Sequence, residues 1–184
     1  MSRSSLGLGG GAAPARSDRS VGVAAVLVLG LAATVGTALL FQHVGGYIPC
    51  ALCLQQRTPY YVALPVALLA LALALAKVGP AALPRILFAV VGLVMLWGMG
   101  LAIYHAGVEW QFWAGPTDCA SVAGGDLMTG DLLGSIDAVR PPSCDQAAGR
   151  FLGLSFAGWN VLASALWALV ALWGAARGGR AVAR

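Results

Sequence analysis

Charge is scarce in this sequence. Of 184 residues only 10% are Asp, Glu, Lys or Arg, while 59% are hydrophobic. Soluble domains carry about 25% charged residues, so the shortage excludes an ordinary water-facing surface and places the chain among integral membrane proteins. Metal-binding side chains are scarce too, with 2 His and 4 Cys. There is no second C-x-x-C and no H-x3-H, which argues against a zinc centre of about four ligands. Leu54, not histidine, follows the C-x-x-C, so covalent c-type haem is excluded. No Gly-rich loop sits between a strand and a helix, which points away from a bound dinucleotide. The net charge of +4 is carried by scattered basic residues beside apolar runs. They read as orientation signals, not as a nucleic-acid patch.

Long apolar runs are what the chain has in quantity. Four of them, about Val21–Gln42, Thr58–Ala76, Arg85–Tyr104 and Leu154–Ala176, are long enough to cross roughly 30 Å of hydrocarbon. The first exceeds the usual 7–15-residue core of a signal peptide, and no small-residue cleavage site follows it, so it reads as an uncleaved span. The expected fold is therefore all-α: an integral membrane four-helix bundle over residues 21–176. Flexible and basic tails occupy residues 1–20 and 177–184. One long loop, about 105–153, joins the third and fourth helices. Eight of the eleven basic residues (Arg3, Arg16, Arg19, Lys77, Arg85, Arg177, Arg180, Arg184) fall on one side of the spans. Lys and Arg favour the cytoplasmic side, so both termini are expected there and the long loop outside. All four cysteines then face the outer side, where disulfides persist.

Cys50, Cys53 and Arg57 stand at the mouth of the second run, in "IPCALCLQQRTPYY". On a helix, positions i, i+3 and i+7 share one face, so two sulfurs and a fixed cation would form a stripe entering the membrane. A nearby cation and C-x-x-C placement both favour the thiolate, the species that exchanges disulfides. A charge at the hydrocarbon boundary usually marks a site. A plainer reading has the cysteines as small buried apolar groups and Arg57 snorkelling to the interface. Either Pro49 opens the helix, or Thr58 caps it with Pro59 as its first residue.

Cys119 and Cys144 sit near opposite ends of the long loop. A bridge between them would close about 26 residues, worth roughly 3–4 kcal/mol in the chain-entropy account. Gly, Pro and Asp surround both, which suits a flexible, accessible segment better than a buried clasp. Leu127, Met128, Leu132, Leu133 and Ile136 could form a short helix on the membrane surface, and Trp110, Phe112 and Trp113 read as an interfacial aromatic belt. The informative combination is two disulfide-capable pairs on one side. One is reachable by a soluble protein and the other by a lipid-soluble carrier, as in an electron relay.

With those residues in view, "FQHVGGYIPCALCLQQR", "IYHAGVEWQFW" and the Cys119/Cys144 loop followed by "FLGLSFAGWN" resemble the bacterial disulfide-bond formation protein B (DsbB) family. The resemblance implies a multi-pass inner-membrane oxidoreductase that reoxidises a periplasmic, thioredoxin-fold DsbA-like thiol oxidase and reduces a membrane quinone, ubiquinone or menaquinone. It implies that Cys119 receives the partner's thiolate, that the released Cys144 attacks Cys50, and that Cys53 is left facing the quinone. Arg57 and His105 are implied as quinone-binding groups, and His43 carries no implied chemistry beyond ending a helix. No metal and no nucleic acid enter this picture, and the expectation is of a monomer. Two other readings stay open: a vitamin K epoxide reductase-like redox enzyme, and a non-enzymatic bundle with bracing disulfides.

Overall fold

The computed structural model describes residues 15–80, 82–116 and 144–177. Among these residues the chain forms α1 (Ala15–His43), α2 (Ala51–Gln55), α3 (Thr58–Ala76) and α4 (Leu83–Glu109). A two-stranded hairpin, β1 (Arg150–Phe151) and β2 (Leu154–Ser155), precedes α5 (Phe156–Arg177). Among the described residues four spans are long and apolar enough to cross a membrane: Arg19–His43, Ala51–Ala76 (α2 with α3), Leu83–Glu109 and Phe156–Arg177. The all-α four-helix bundle expected from the sequence is what the chain adopts, with the small hairpin as its one addition among the described residues.

The spans close into a ring. α1 packs on α3, α3 on α4 and α4 on α5, and α5 returns to α1. Small side chains make this possible. Ala63, Ala67, Ala70 and Ala74 recur at helical spacing on one face of α3 and are buried, opposite Leu27 and Leu31 of α1 and Val91 and Met95 of α4. In lipid, helices gain by packing backbones closely, and small residues allow that approach. Gly30 shows how tight the fit is: a Cβ there would lie 1.9 Å from the Trp167 ring. The large side chains point the other way. Leu68, Leu69, Leu93, Trp97, Leu166 and Leu169 are exposed, the placement of residues that face hydrocarbon instead of water.

Local chemistry explains the breaks. Pro59 has no N–H to donate, and its ring disfavours helical backbone in Thr58, so the helix is interrupted at Gln56–Arg57 before restarting. Both sequence alternatives therefore hold a part: a short helix follows Pro49, and a long one begins at Thr58, with Arg57 and not Thr58 in the cap position and Pro59 as the second helical residue. α4 runs to Glu109, beyond the expected end at Tyr104, which brings His105 and Glu109 out of the loop and onto the helix. The fourth span begins at Phe156, not Leu154, because Leu152 (φ 51°) and Gly153 (φ 85°) form a tight reversal and pair Phe151 with Leu154. The Trp159 indole N–H donates to the Phe151 carbonyl at 2.9 Å, fastening the hairpin to α5.

Candidate redox site

The C-terminal ends of α1 and α4 meet the N-terminal ends of α3 and α5 around a cavity of ≈ 420 Å³. That volume lies within the 300–1,000 Å³ range of small-ligand pockets. Apolar groups such as Val35, Ala38, Phe41, Ile48 and Phe156 form most of its wall. Gln42, Cys53, Gln56, Arg57, His105 and Asn160 also face it. An apolar hollow with a few convergent polar groups is the form of a site for a mainly apolar ring.

Cys50 caps α2, and its Sγ accepts the Cys53 backbone N–H at 3.3 Å. Cysteine replaces the usual Ser or Asp at this position, so the cap itself holds a sulfur at the helix start. The two sulfurs lie 2.9 Å apart, unbonded, within easy reach of a disulfide. His105 Nε2 stands 3.7 Å from Cys50 Sγ. The hydrogen bond from Cys53, and after it that from His105, pull the Cys50 thiol down to about 4 against the opposing effect of burial. Cys50 is thus a thiolate at neutral pH when the pair is reduced.

The two cysteines face different surroundings. Cys53 lines the cavity. Cys50 does not line it; it packs with Leu52, Val108 and Cys144 in a buried cluster, in which Cys50 is 4% and Cys144 1% exposed and against whose edge Cys53 also packs. Cys144 is disulfide-bonded, and Cys119 lies outside the described residues, as does the segment proposed for a surface helix. The expectation that both loop cysteines are accessible is corrected for Cys144. Pro and Asp next to it suggested solvent, but the sulfur turns inward beneath the end of α4.

His105 is held from behind by a polar chain. The Asn160 side-chain N–H donates to Gln56 Oε1 at 2.6 Å, which leaves the Gln56 amide to donate to His105 Nδ1. Tyr60 O–H donates to Asn160 Oδ1 at 2.6 Å and also meets Ser164 Oγ at 3.0 Å. In this arrangement Nε2 carries the proton of neutral His105, aimed at Cys50 and at Glu109 Oε1, which is 3.8 Å away. The Glu109 side chain is 4% exposed and its Oε2 is buried without a partner.

Of the residues singled out from sequence, Cys50, Cys53 and His105 come together and Cys144 joins Cys50. Arg57 lines the same cavity, but its guanidinium donates to Gln42 Oε1. The groups acting on the Cys50 sulfur are Cys53 and His105, so the expected stripe of two sulfurs and a cation is really two sulfurs and an imidazole. The sequence reading missed Gln56, Asn160, Tyr60 and Glu109. Asn160 could have been found as an amide inside an apolar run, and Glu109 as the i+4 neighbour of His105 once the helix is carried past Tyr104. Beyond the C-cap Trp110, Trp113 folds back on α4, with its indole N–H donating to the Tyr104 carbonyl at 2.8 Å and its ring lying over Gly107. Trp110, Phe112 and Trp113 are all exposed, as expected of a belt.

A membrane bundle with a paired dithiol at the edge of an apolar hollow defines a membrane-embedded thiol redox protein. The family model for disulfide bond formation protein DsbB matches residues 19–174, and the chain belongs to that family. It is accordingly a multi-pass membrane protein of disulfide-bond formation, with an oxidoreductase role. None of the curated proteins or solved structures compared with the chain matches it.

Proposed function

We propose that the protein is a dithiol:quinone oxidoreductase that reoxidises a soluble, thioredoxin-fold dithiol protein of the DsbA kind on the outer side of a bacterial inner membrane. The observation that carries this reading is the division of labour in the C-x-x-C: Cys53 opens on the apolar cavity while Cys50 is buried against Cys144. Electrons entering at one sulfur can leave from the other without either helix moving far.

Cys119 takes the incoming thiolate and forms the mixed disulfide, releasing Cys144. The Cys144 thiolate attacks Cys50 in the oxidised C-x-x-C, and Cys53 leaves as the thiolate beside the cavity. A second attack by the partner frees its own disulfide, the inter-loop bridge resolves, and the Cys50–Cys53 dithiol carries the electron pair. Each exchange breaks one S–S bond and makes another, so only the last step needs an outside acceptor. A quinone, when bound, takes up that pair with two protons and becomes a quinol. The walls fit such a ring: Phe41, Ile48 and Phe156 offer apolar contact. Arg57 offers a fixed positive charge toward carbonyl oxygens, His105 borders the hollow beside the sulfurs, and the membrane admits the isoprenoid tail. The Lys/Arg distribution supports cytoplasmic termini and an outer site.

Cys53→Ser tests the reading. Quinone-dependent oxidation of a reduced thioredoxin-fold oxidase should fall to background, and a Cys144→Ala chain should accumulate the mixed disulfide through Cys119. Survival of turnover in Cys53→Ser sinks the proposal.

A further inference from the structure

The C-x-x-C is short of metal ligands in sequence, but the fold supplies more. The ligand atoms of Cys50, Cys53 and His105 all lie within 4.8 Å of one another. Glu109 follows His105 by one helical turn and presents Oε1 at 3.8 Å from the imidazole. The compact set is a C-x2-C with one histidine of α4; Glu109, at H-x3-E spacing, lies outside that 4.8 Å group and completes a four-ligand site of zinc type only by swinging its carboxylate inward. In a tetrahedral zinc site, with bonds of about 2.3 Å to sulfur and 2.0–2.1 Å to nitrogen, ligand atoms stand roughly 3.5–3.8 Å apart. The Cys50 Sγ to His105 Nε2 distance of 3.7 Å already matches, and the sulfurs at 2.9 Å need to open by less than about 1 Å. The buried, partnerless Oε2 of Glu109 is the second sign of an absent cation, since a carboxylate oxygen without a donor is costly in such surroundings.

We propose that the reduced Cys50–Cys53 pair, together with His105 and Glu109, forms a binding site for a zinc-type divalent cation, and that occupancy locks the dithiol in its reduced form. Binding releases whatever thiol proton the pair still holds, so that two thiolates coordinate the metal and no electrons move; zinc has no redox chemistry of its own. The oxidised pair has no thiolate to offer and does not bind. Coordinated sulfurs cannot exchange with Cys144 or give up electrons, so the metal acts as an inhibitor selective for the reduced state.

The surroundings accommodate this ligation. A metal on Nε2 requires the His105 proton on Nδ1. Turning over the Gln56 and Asn160 amides gives Nδ1–H to Gln56 Oε1, Gln56 Nε2 to Asn160 Oδ1 and Asn160 Nδ2 to Tyr60 Oη. The Tyr60 hydroxyl then donates to Ser164 Oγ. Every link uses a contact that is present, with only amide flips and a hydroxyl rotation. The imidazole then has the outer hydrogen-bond partner that metal-bound histidines normally keep.

The test uses full-length protein in lipid nanodiscs, reduced anaerobically, freed of reductant and titrated with Co²⁺. Reduced protein should bind one equivalent with near-ultraviolet sulfur-to-cobalt absorption and tetrahedral d–d bands, bleached by Zn²⁺, and oxidised protein should show neither. Cys53→Ala should lose the sulfur bands, and His105→Gln should weaken binding at least about tenfold, as loss of even an outer-shell partner commonly does. Absence of the bands in the reduced chain overturns the proposal, as does binding in His105→Gln as tight as in the unaltered chain. The contrast between redox states is read on one unaltered chain, so misfolding of a variant cannot imitate it. Metal binding by a protein that fails to reduce quinone would keep this proposal and defeat the preceding one.

Discussion

The middle of the bundle and its site-bearing end are made from the same helices by opposite means. In the middle, alanines and glycines bring α3, α4 and α5 together with almost no polar contact; Ala63, Ala67, Ala168 and Ala171 are all essentially buried. At the site end the same helices are tied by His105, Gln56, Asn160, Tyr60 and Ser164, each paired to the next. Close packing needs only small residues and tolerates many sequences. A buried polar chain fixes one arrangement, because any broken link strands a donor or acceptor in a place water does not reach. The comparison teaches where this protein invests specificity: the middle holds the helices, and the site end fixes sulfur and imidazole to within hydrogen-bond distance.

The largest expected effect at the site end is chemical. Cys53→Ser should abolish quinone-coupled turnover while leaving the thermal midpoint in detergent near that of the parent, since one small side chain replaces another. Next comes the state of Cys50. With its thiol held near 4, where an ordinary thiol is near 9.0, the alkylation rate of the reduced pair should stay flat from neutral pH down to about 5 and fall as pH approaches 4. Cys53→Ala removes the first cause and should move that midpoint up most, and His105→Ala should move it less. The sign for stability follows. A depressed folded-state pKa stabilises the reduced protein fully above the ordinary thiol value, and that stabilisation is lost as pH falls toward about 4. A chemical-denaturation series of reduced protein across that range should show the decline.

The middle should respond in the other way. Gly30→Ala puts a methyl group into the Trp167 ring and should lower stability by about 1–3 kcal/mol, with the Cys50 alkylation profile unchanged. Asn160→Ala should lower stability by a similar amount, about 1–3 kcal/mol, from the stranded Gln56 and Tyr60 groups. Unlike Gly30→Ala, it should also change the alkylation profile, because His105 loses its rear support. If both variants changed the profile alike, the contrast between packed middle and wired end would collapse.

Much of the frame was legible in the sequence because membrane spans announce themselves by length and hydropathy, whatever their neighbours. The four spans, the cysteine pair at the mouth of the second and the grouping of Cys53 with His105 and Arg57 about one hollow all follow from local signals or from the family pattern. What was not legible depends on contacts between distant positions. Asn160 meets Gln56 across 104 residues, and no local rule couples them. Arg57 looked like the partner of the sulfurs because its spacing fits a continuous helix. The Pro59 break and the Gln42 side chain on α1 direct it elsewhere. Cys144 looked exposed because its neighbours are polar, yet the end of α4 covers it. Glu109 looked like a loop acid because apolar patterning stops before it, whereas backbone hydrogen bonding carries the helix to it.

The central claim is that the two sulfurs of the C-x-x-C face different partners, Cys50 toward Cys144 and Cys53 toward the cavity. Two chains test it most directly, Cys119→Ser/Cys53→Ser and Cys119→Ser/Cys50→Ser, each oxidised mildly and mapped for its disulfide by mass spectrometry. The account predicts rapid, near-complete Cys50–Cys144 bonding in the first and little Cys53–Cys144 bonding in the second. Equal bonding in the two would contradict it.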